Sequence, residues 1–164
     1  MQGPKIVEKP AFRLMGIAAR TSNAAETDPA TARIGKLWER FSAESLPGHI
    51  PYQTEPGVIY GLYADYENGT DGDYTVMAGC AVRPGSTPPG TLTVTDVPAA
   101  RYAVFTSERG PMPDIVVDSW SKIWAMTPGE LGGERAYTGD FEVYDDRTAN
   151  TRNAQIDIWI ALKP

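Results

Sequence analysis

The feature of the sequence that most constrains its fold is a pair of strand segments that occurs twice, about 80 positions apart. Gly61–Asp65 followed by Tyr74–Pro84 matches Glu142–Asp146 followed by Ala154–Pro164. Both copies end in an apolar segment, a basic residue and a proline. A repeated order of elements indicates an internal duplication. The alternative is chance agreement between two short hairpins.

A helix is predicted between the strands of the first half. Phe12–Thr21 is typical of a strand, and Asp28 and Pro29 then favour a helix start as N-cap and first helical residue. Pro47-Gly48 is expected to end this helix. Its apolar stripe, which we expect to pack in the core, consists of Ile34, Leu37, Trp38 and Phe41.

The second half repeats this order after a proline- and glycine-rich stretch, Arg83–Gly90. Gly110–Pro113 predicts the start of a helix with an apolar face that includes Trp120. The two half-repeats are therefore expected at approximately 5–84 and 91–164.

These patterns predict one α+β domain over residues 1–164. Each half is expected to be a β-α-β-β unit of the SHS2 type, and a pseudo-twofold axis relates the two units. Together they would form a curved antiparallel sheet with two main helices on one face. The junction between the halves is the natural place for a concave groove.

The charge of the chain argues against several classes of partner. Fifteen basic and 21 acidic residues give a net charge of −6, with no local cluster of lysine and arginine. Such a chain would repel a phosphate backbone, so we expect no direct nucleic-acid binding. No segment approaches the roughly 20 apolar residues that span a bilayer, and the N-terminus lacks the apolar run of a signal peptide. We therefore expect a cytoplasmic protein without membrane contact, as a monomer or a homodimer.

Residues for metal or cofactor chemistry are sparse. Cys80 is the only cysteine, and we expect it to be buried in a strand. His49 is the only histidine, so neither a zinc site nor a histidine-based catalytic pair is expected. No phosphate-binding loop, dinucleotide fingerprint or nucleophile elbow is present. The sequence predicts no cofactor, no metal and no catalytic residue of these kinds.

A set of motifs in the second half follows a fixed order. Val97–Phe105 is followed by Gly110-Pro111, a helix with Trp120 and Trp124, and then Asp140–Tyr144. This order resembles the GyrI-like effector-binding domains, which form the ligand-sensing ends of AraC-type and MerR-type multidrug regulators and also occur as free-standing proteins. The first half adds matches at Met15–Ile17, the helix around Trp38 and the hairpin that ends at Arg83.

The resemblance implies a duplicated fold with a groove that binds hydrophobic, often cationic, aromatic compounds. The acidic residue that reads the cation in that family matches Glu142. The regulators attach this module to a DNA-binding helix-turn-helix domain, and the sequence has no room for one. We therefore expect no DNA-binding domain and a role as a stand-alone sensor or sequestering protein.

Strand periodicity gives Glu142 its expected direction. Side chains alternate between the two faces of a sheet, so Glu142 and Tyr144 should lie opposite Phe141 and Val143. A carboxylate on an aromatic-lined face would select cations. The alternative is a solvated glutamate on a half-exposed strand.

Aromatic residues supply the other candidates for ligand contacts. Four tryptophans and eight tyrosines make an aromatic-lined pocket feasible, although a tryptophan pair on an apolar helix face is often part of the core. Gly61, the repeat equivalent of Glu142, would leave space for a ligand. The candidate walls are Trp120, Trp124, Tyr63, Tyr144, Tyr60 and Trp159.

Three functions follow from this sequence. The leading one is non-covalent binding of a small, hydrophobic, cationic aromatic molecule. The second is hydrolysis, since some GyrI-like proteins are similar in fold but hydrolyse reactive small molecules, and Glu142 would then activate water. The third is a protein-interaction module of the gyrase-inhibitor type, which would bind a protein partner through the groove.

Overall fold

The computed structural model describes all 164 residues, Met1–Pro164. Its eight strands are β1 (Gln2–Lys9), β2 (Phe12–Ser22), β3 (Ile59–Ala64), β4 (Asp73–Val82), β5 (Thr93–Val97), β6 (Ala100–Thr106), β7 (Asp140–Tyr144) and β8 (Asp157–Leu162). The helices are α1 (Asn23–Glu26), α2 (Ile34–Ala43), α3 (Asp114–Trp124) and α4 (Pro128–Leu131), with 3-10 turns at Leu46–Gly48 and Asp146–Thr148.

All strands belong to one antiparallel sheet in the order β1-β6-β8-β7-β3-β4-β2-β5. The β3–β7 pair lies at the centre, and corresponding strands follow it towards each edge, so the sheet has pseudo-twofold symmetry. Strand β1, which the sequence analysis did not predict, pairs with β6, while β5 pairs with β2. Each half of the sheet therefore includes one edge strand from the other part of the chain. The α+β class predicted from the sequence is confirmed.

The two faces of the sheet carry separate cores. Helix α2 packs Leu37 and Phe41 against one end of the helix-covered face, and α3 packs Trp120 and Ile123 against the other end. The opposite face carries a third cluster, which includes Phe141. Alternation along each strand assigns its apolar residues to these two faces, as the periodicity predicts.

The helix predicted to start at Asp28 and Pro29 is α2, and it begins later, at Ile34. Asp28 does not cap it; its side chain accepts a hydrogen bond from the backbone of Ala30 within a turn. Instead, the carboxylate of Glu26 accepts hydrogen bonds from the backbone N–H groups of Arg33 and Ile34, at 2.8 and 3.1 Å. A residue eight positions upstream therefore satisfies the free N–H groups at the start of α2. The predicted end at Pro47-Gly48 is also wrong, because α2 ends at Ala43.

The second helix follows the sequence prediction. Helix α3 begins at Asp114, directly after Gly110–Pro113, and buries Ile115, Trp120 and Ile123. Cys80 is buried in β4, as expected. None of the helices is sufficiently long and apolar to cross a membrane.

Candidate functional site

A cavity of about 1110 Å³ opens between α2 and α3 above the central strands β3 and β7. The charged residues among its 25 lining residues are Glu26, Arg135 and Glu142. Its aromatic lining residues are Trp38, Phe41, Tyr63, Tyr66, Tyr74, Trp120, Trp124 and Tyr144. The cavity is thus an aromatic chamber located where the two halves of the sheet meet.

Glu142 lies on the floor of this cavity. Its side chain points to the helix-covered face, whereas Phe141 and Val143 join the core on the other face, as alternation predicts. Only 1% of Glu142 is exposed to solvent. The alternative interpretation of Glu142 as a solvated surface residue is therefore wrong.

Three neutral side chains hold the Glu142 carboxylate. Tyr144 donates its hydroxyl to Oε1 at 2.6 Å, and Trp120 donates its indole N–H to Oε2 at 2.7 Å. Tyr63 makes a longer hydrogen bond to Oε2 at 3.3 Å. These donors come from β7, α3 and β3, so the carboxylate connects both halves of the sheet to one helix.

Burial dominates the electrostatics of this site. It raises the pKa of the Glu142 carboxyl, and the hydrogen bonds from Tyr144, Trp120 and Tyr63 offset this increase only in part. Burial and the charge of Glu142 raise the pKa values of Tyr63 and Tyr144 well above the ordinary value, so both phenols stay protonated and donate. No lysine, arginine or histidine forms an ion pair with Glu142. A buried carboxylate without a cationic partner is costly, and a bound cation would relieve that cost.

Gly61 is the residue that makes room for this arrangement. It pairs with Glu142 between β3 and β7. A Cβ at Gly61 would lie 2.9 Å from Glu142 Oε1 and 3.0 Å from Trp38 Cζ2. The space beside Gly61 is therefore filled by the carboxylate and the indole, and the expectation that a ligand occupies it is wrong.

The aromatic walls stand on both sides of Glu142. On the α3 side, Trp120 lies 5.5 Å from Tyr63 and 6.2 Å from Trp124 between ring centroids. On the α2 side, Trp38 lies 5.3 Å from Tyr144. Trp124 is 57% exposed, which places it at the mouth of the cavity. Trp38, expected in the core, is half-buried: it packs against the core cluster of α2 and also lines the cavity.

Two of the residues proposed as walls are absent from the cavity lining. Tyr60 belongs to the core on the other face of the sheet and donates its hydroxyl to Glu55. Trp159 packs on the same face, stacked on Phe141 at 5.3 Å. Trp159 is the register partner of Phe141 and therefore shares its face. Tyr60 is next to Gly61 in β3, and because side chains alternate between the two faces along a strand, Tyr60 faces away from Glu142.

Sequence reasoning missed several residues of the site. Tyr66, which borders a loop and was not among the candidate walls, lines the cavity and donates its hydroxyl to Asp140 at 2.8 Å. Asp140 is fully buried and also accepts from Arg135 at 2.7 Å. Arg135 lies in an irregular segment between α4 and β7, where no periodicity indicates its direction. The position of Asp140, two residues before Glu142, was the one signal available.

The donor set of the site suits a positive charge better than a metal ion. No group of three or more histidine, cysteine, aspartate or glutamate side chains lies close enough to hold a metal. What the cavity offers is two carboxylates without a cationic partner, Glu142 and Glu26, together with neutral hydrogen-bond donors and many ring faces. Ring faces attract cations.

Comparisons with known proteins agree with this architecture. A family model described as integron-associated effector binding protein matches residues 5–162. The chain is 36% identical over 151 residues to YobU of Bacillus subtilis, which is named as a transcriptional regulator protein. The match covers 92% of each chain. It is 34% identical over 160 residues to the transcriptional regulator BrlR of Pseudomonas aeruginosa, covering 96% of this chain and 54% of BrlR. The chain therefore spans about half the length of BrlR.

Two solved structures show the same fold. The integron cassette protein VCH_CASS2 of Vibrio cholerae has a TM-score of 0.77 at 33% identity, covering 99% of this chain and 97% of that one. SAV2435, solved with bound tetraphenylphosphonium, has a TM-score of 0.79 at 19% identity, covering 99% and 94%. The resemblance to GyrI-like effector-binding domains is thereby confirmed. The chain belongs to the family of integron-associated effector-binding proteins.

Proposed function

We propose that this protein binds hydrophobic aromatic cations in the central cavity, with Glu142 as the residue that recognises the positive charge. The observation that carries the proposal is the environment of Glu142: a carboxylate that is 1% exposed, surrounded by neutral donors and without a basic partner. An organic cation supplies the missing charge and gains about 0.5–2 kcal/mol over each well-placed ring.

The hydrogen bonds to Glu142 also suggest which cations fit best. Both carboxylate oxygens already accept from tryptophan or tyrosine. Because only 1% of Glu142 is exposed, a primary ammonium needs to move one of the surrounding side chains to hydrogen-bond the carboxylate, whereas a quaternary or delocalised cation interacts through space. We therefore expect a preference for bulky cations without N–H groups. The phosphonium bound to SAV2435, which shares this fold, is a cation of this kind.

The size of the cavity supports a large ligand. Small-molecule sites usually measure about 300–1,000 Å³, and this cavity has a volume of about 1110 Å³. The half-exposed Trp124 at its mouth offers a ring that a ligand contacts on entry. With such a site, the protein would act as a sensor or a sequestering protein for these compounds.

The first test is a tryptophan-fluorescence titration with tetraphenylphosphonium and with triphenylphosphine oxide, a neutral compound of similar aromatic shape. We expect Glu142→Gln to weaken phosphonium binding at least about tenfold, because removal of a desolvated charge partner costs on the order of 2–5 kcal/mol. Binding of the neutral compound should be unchanged. Glu39→Gln, at an exposed position on α2 outside the cavity, is the matched control for net charge.

The outcomes of this test are distinct. Equal loss in Glu142→Gln and Glu39→Gln would mean that net charge, and not the buried carboxylate, attracts the ligand. If the folded wild type binds neither compound, the proposal is wrong.

Hydrolysis is the second candidate, and the raised pKa of Glu142 is the observation that favours it. A carboxylate in an apolar site is a stronger base than an ordinary glutamate. Only 1% of Glu142 is exposed, however, so water would reach the carboxylate only if one of the surrounding side chains moved. Mass spectrometry of a reactive ester after incubation with wild type and Glu142→Gln distinguishes the two functions, since only hydrolysis yields product that disappears in the variant.

A further inference from the structure

Strand β7 places two buried carboxylates side by side below the cavity. Asp140 and Glu142 are two residues apart, so they point to the same face and lie about 7 Å apart along the strand. Both are buried, at 0% and 1% exposure. Asp140 is paired with Arg135, whereas Glu142 has only neutral donors. The negative charge of Asp140 is therefore balanced by Arg135, whereas no basic residue balances the negative charge of Glu142.

Arg135 lies between the cavity of Glu142 and a smaller neighbouring cavity, lines both, and is held from two sides. Its Nη2 donates to Asp140 at 2.7 Å, and its guanidinium lies 4.4 Å from the ring centroid of Tyr137. Its Nε is buried against the protein without a partner. A guanidinium has five N–H donors in a rigid fork, and Asp140 takes one of them. The Nη1 end of Arg135 is thus left with hydrogen-bonding capacity.

The free N–H groups of Arg135 do not carry an unpaired positive charge. Asp140 already balances Arg135, and Glu142 already makes the cavity acidic. A ligand carboxylate would add a second negative group beside this guanidinium, in a cavity that already contains Glu26 and Glu142. A neutral oxygen acceptor would use the free N–H groups without that repulsion.

We propose that the preferred ligands are organic cations with a neutral oxygen acceptor, such as a ketone, an ester or an amide, and that Arg135 binds this acceptor. The cationic centre lies beside Glu142, and the acceptor lies at Arg135, which is bound to Asp140 two residues away from Glu142 in β7. The inference rests on the proposed function, because it takes the position of the cation from Glu142. It assigns Arg135 a role in specificity that is separate from its ion pair with Asp140.

Three triphenylphosphonium cations with arms of equal length test this inference. One has a pentyl arm, one has a ketone near the end of the arm, and one has an arm that ends in a carboxylate. Each is titrated into wild type, Arg135→Lys and Arg101→Lys. Lysine keeps a positive charge opposite Asp140 but lacks the planar fork, and exposed Arg101 on β6 lies outside the cavity and is the matched control.

We expect the wild type to bind the ketone at least about tenfold more tightly than the pentyl compound, as one hydrogen bond from a charged donor would give. The carboxylate should bind no more tightly than the pentyl compound. In Arg135→Lys the ketone advantage should fall to about twofold or less, while pentyl binding is retained and shows that the variant is folded. In Arg101→Lys the advantage should persist.

A measurement on the wild type alone gives an independent result. The carbonyl stretch of an isotope-labelled ketone should shift to lower frequency when the ligand binds, because the carbonyl then accepts a hydrogen bond. An unshifted carbonyl, equal binding of the three arms, tightest binding of the carboxylate, or a ketone advantage that survives in Arg135→Lys would each overturn the role of Arg135. Failure of all three cations to bind would refute the proposed function, and this inference with it.

Discussion

Gly61→Ala tests how tightly the floor of the cavity is packed. Gly61 lies directly opposite Glu142 in the β3–β7 pair. A Cβ at this position would lie 2.9 Å from Glu142 Oε1 and 3.0 Å from Trp38 Cζ2, whereas ordinary van der Waals contacts begin near 3.4 Å. At least one of these two groups must move by several tenths of an ångström.

Neither group moves at low cost. The Glu142 carboxylate is fixed by hydrogen bonds of 2.6 Å from Tyr144 and 2.7 Å from Trp120. The Trp38 ring packs on Tyr144 at 5.3 Å. Overpacking of this kind typically costs about 1–3 kcal/mol, which lowers the melting temperature by roughly 2–12 °C for a chain of this size. A displaced carboxylate should also weaken phosphonium binding by about tenfold, or about 1.4 kcal/mol.

Thermal unfolding and phosphonium titration of the same samples check both effects. Gly48→Ala is the matched control, because no atom lies within 4 Å of the added Cβ and Gly48 lies outside the cavity. It should stabilise the protein by about 0.4–1 kcal/mol. Adding Trp38→Phe to Gly61→Ala removes the Cζ2 contact and should restore part of the stability. If Gly61→Ala melts and binds like wild type, the packing argument is wrong.

Three further predictions concern the Glu142 site. Trp120→Phe removes the 2.7 Å donor, so the unfolding free energy at pH values above the folded pKa of Glu142 should fall by about 1.5–3 kcal/mol; unchanged stability in denaturant titration would argue against that hydrogen bond. Because burial raises the pKa of Glu142, the folded protein binds its proton more tightly than the unfolded chain. The unfolding free energy of the ligand-free protein should therefore fall as pH rises from about 4.3 to the folded pKa. Phosphonium affinity should increase through the folded pKa and then level off, whereas Glu142→Gln should show a flat profile; the same flat profile in wild type would contradict this assignment. Tyr60→Phe removes the hydroxyl that binds Glu55, which should cost about 0.5–1.5 kcal/mol and leave ligand affinity unchanged in the titration.

The parts of the fold that follow a short-range pattern could be predicted from the sequence. Period-two alternation gave the correct direction of Glu142 because β7 is a regular strand between two buried layers. The start of α3 was predicted because Gly110–Pro113 stands next to the helix that it begins. In both cases the controlling interactions lie within a few residues of the position in question.

Predictions failed where the controlling partner lies farther along the chain. The start of α2 depends on Glu26, which caps the helix from eight residues away, and a local N-cap rule chose Asp28 instead. Trp38 has core spacing on its helix and packs against the core, yet it also lines the cavity, and its ring lies above Gly61, a contact between residues that are far apart in the sequence. The pairing of β1 with β6 connects segments about a hundred residues apart, and no local pattern in Gln2–Lys9 indicates it.

The same long-range pairing links ligand affinity to stability. Gly61 and Glu142 meet only because β3 pairs with β7 in one register, and a shift by one residue would exchange Glu142 for Phe141 on the cavity face. The correct register buries a carboxylate without a cationic partner, which lowers the stability of the empty protein. A bound cation removes that cost, and by mass action it stabilises the folded state in proportion to the logarithm of its concentration. The residue proposed to select the ligand is thus also the residue through which the ligand should raise the melting temperature.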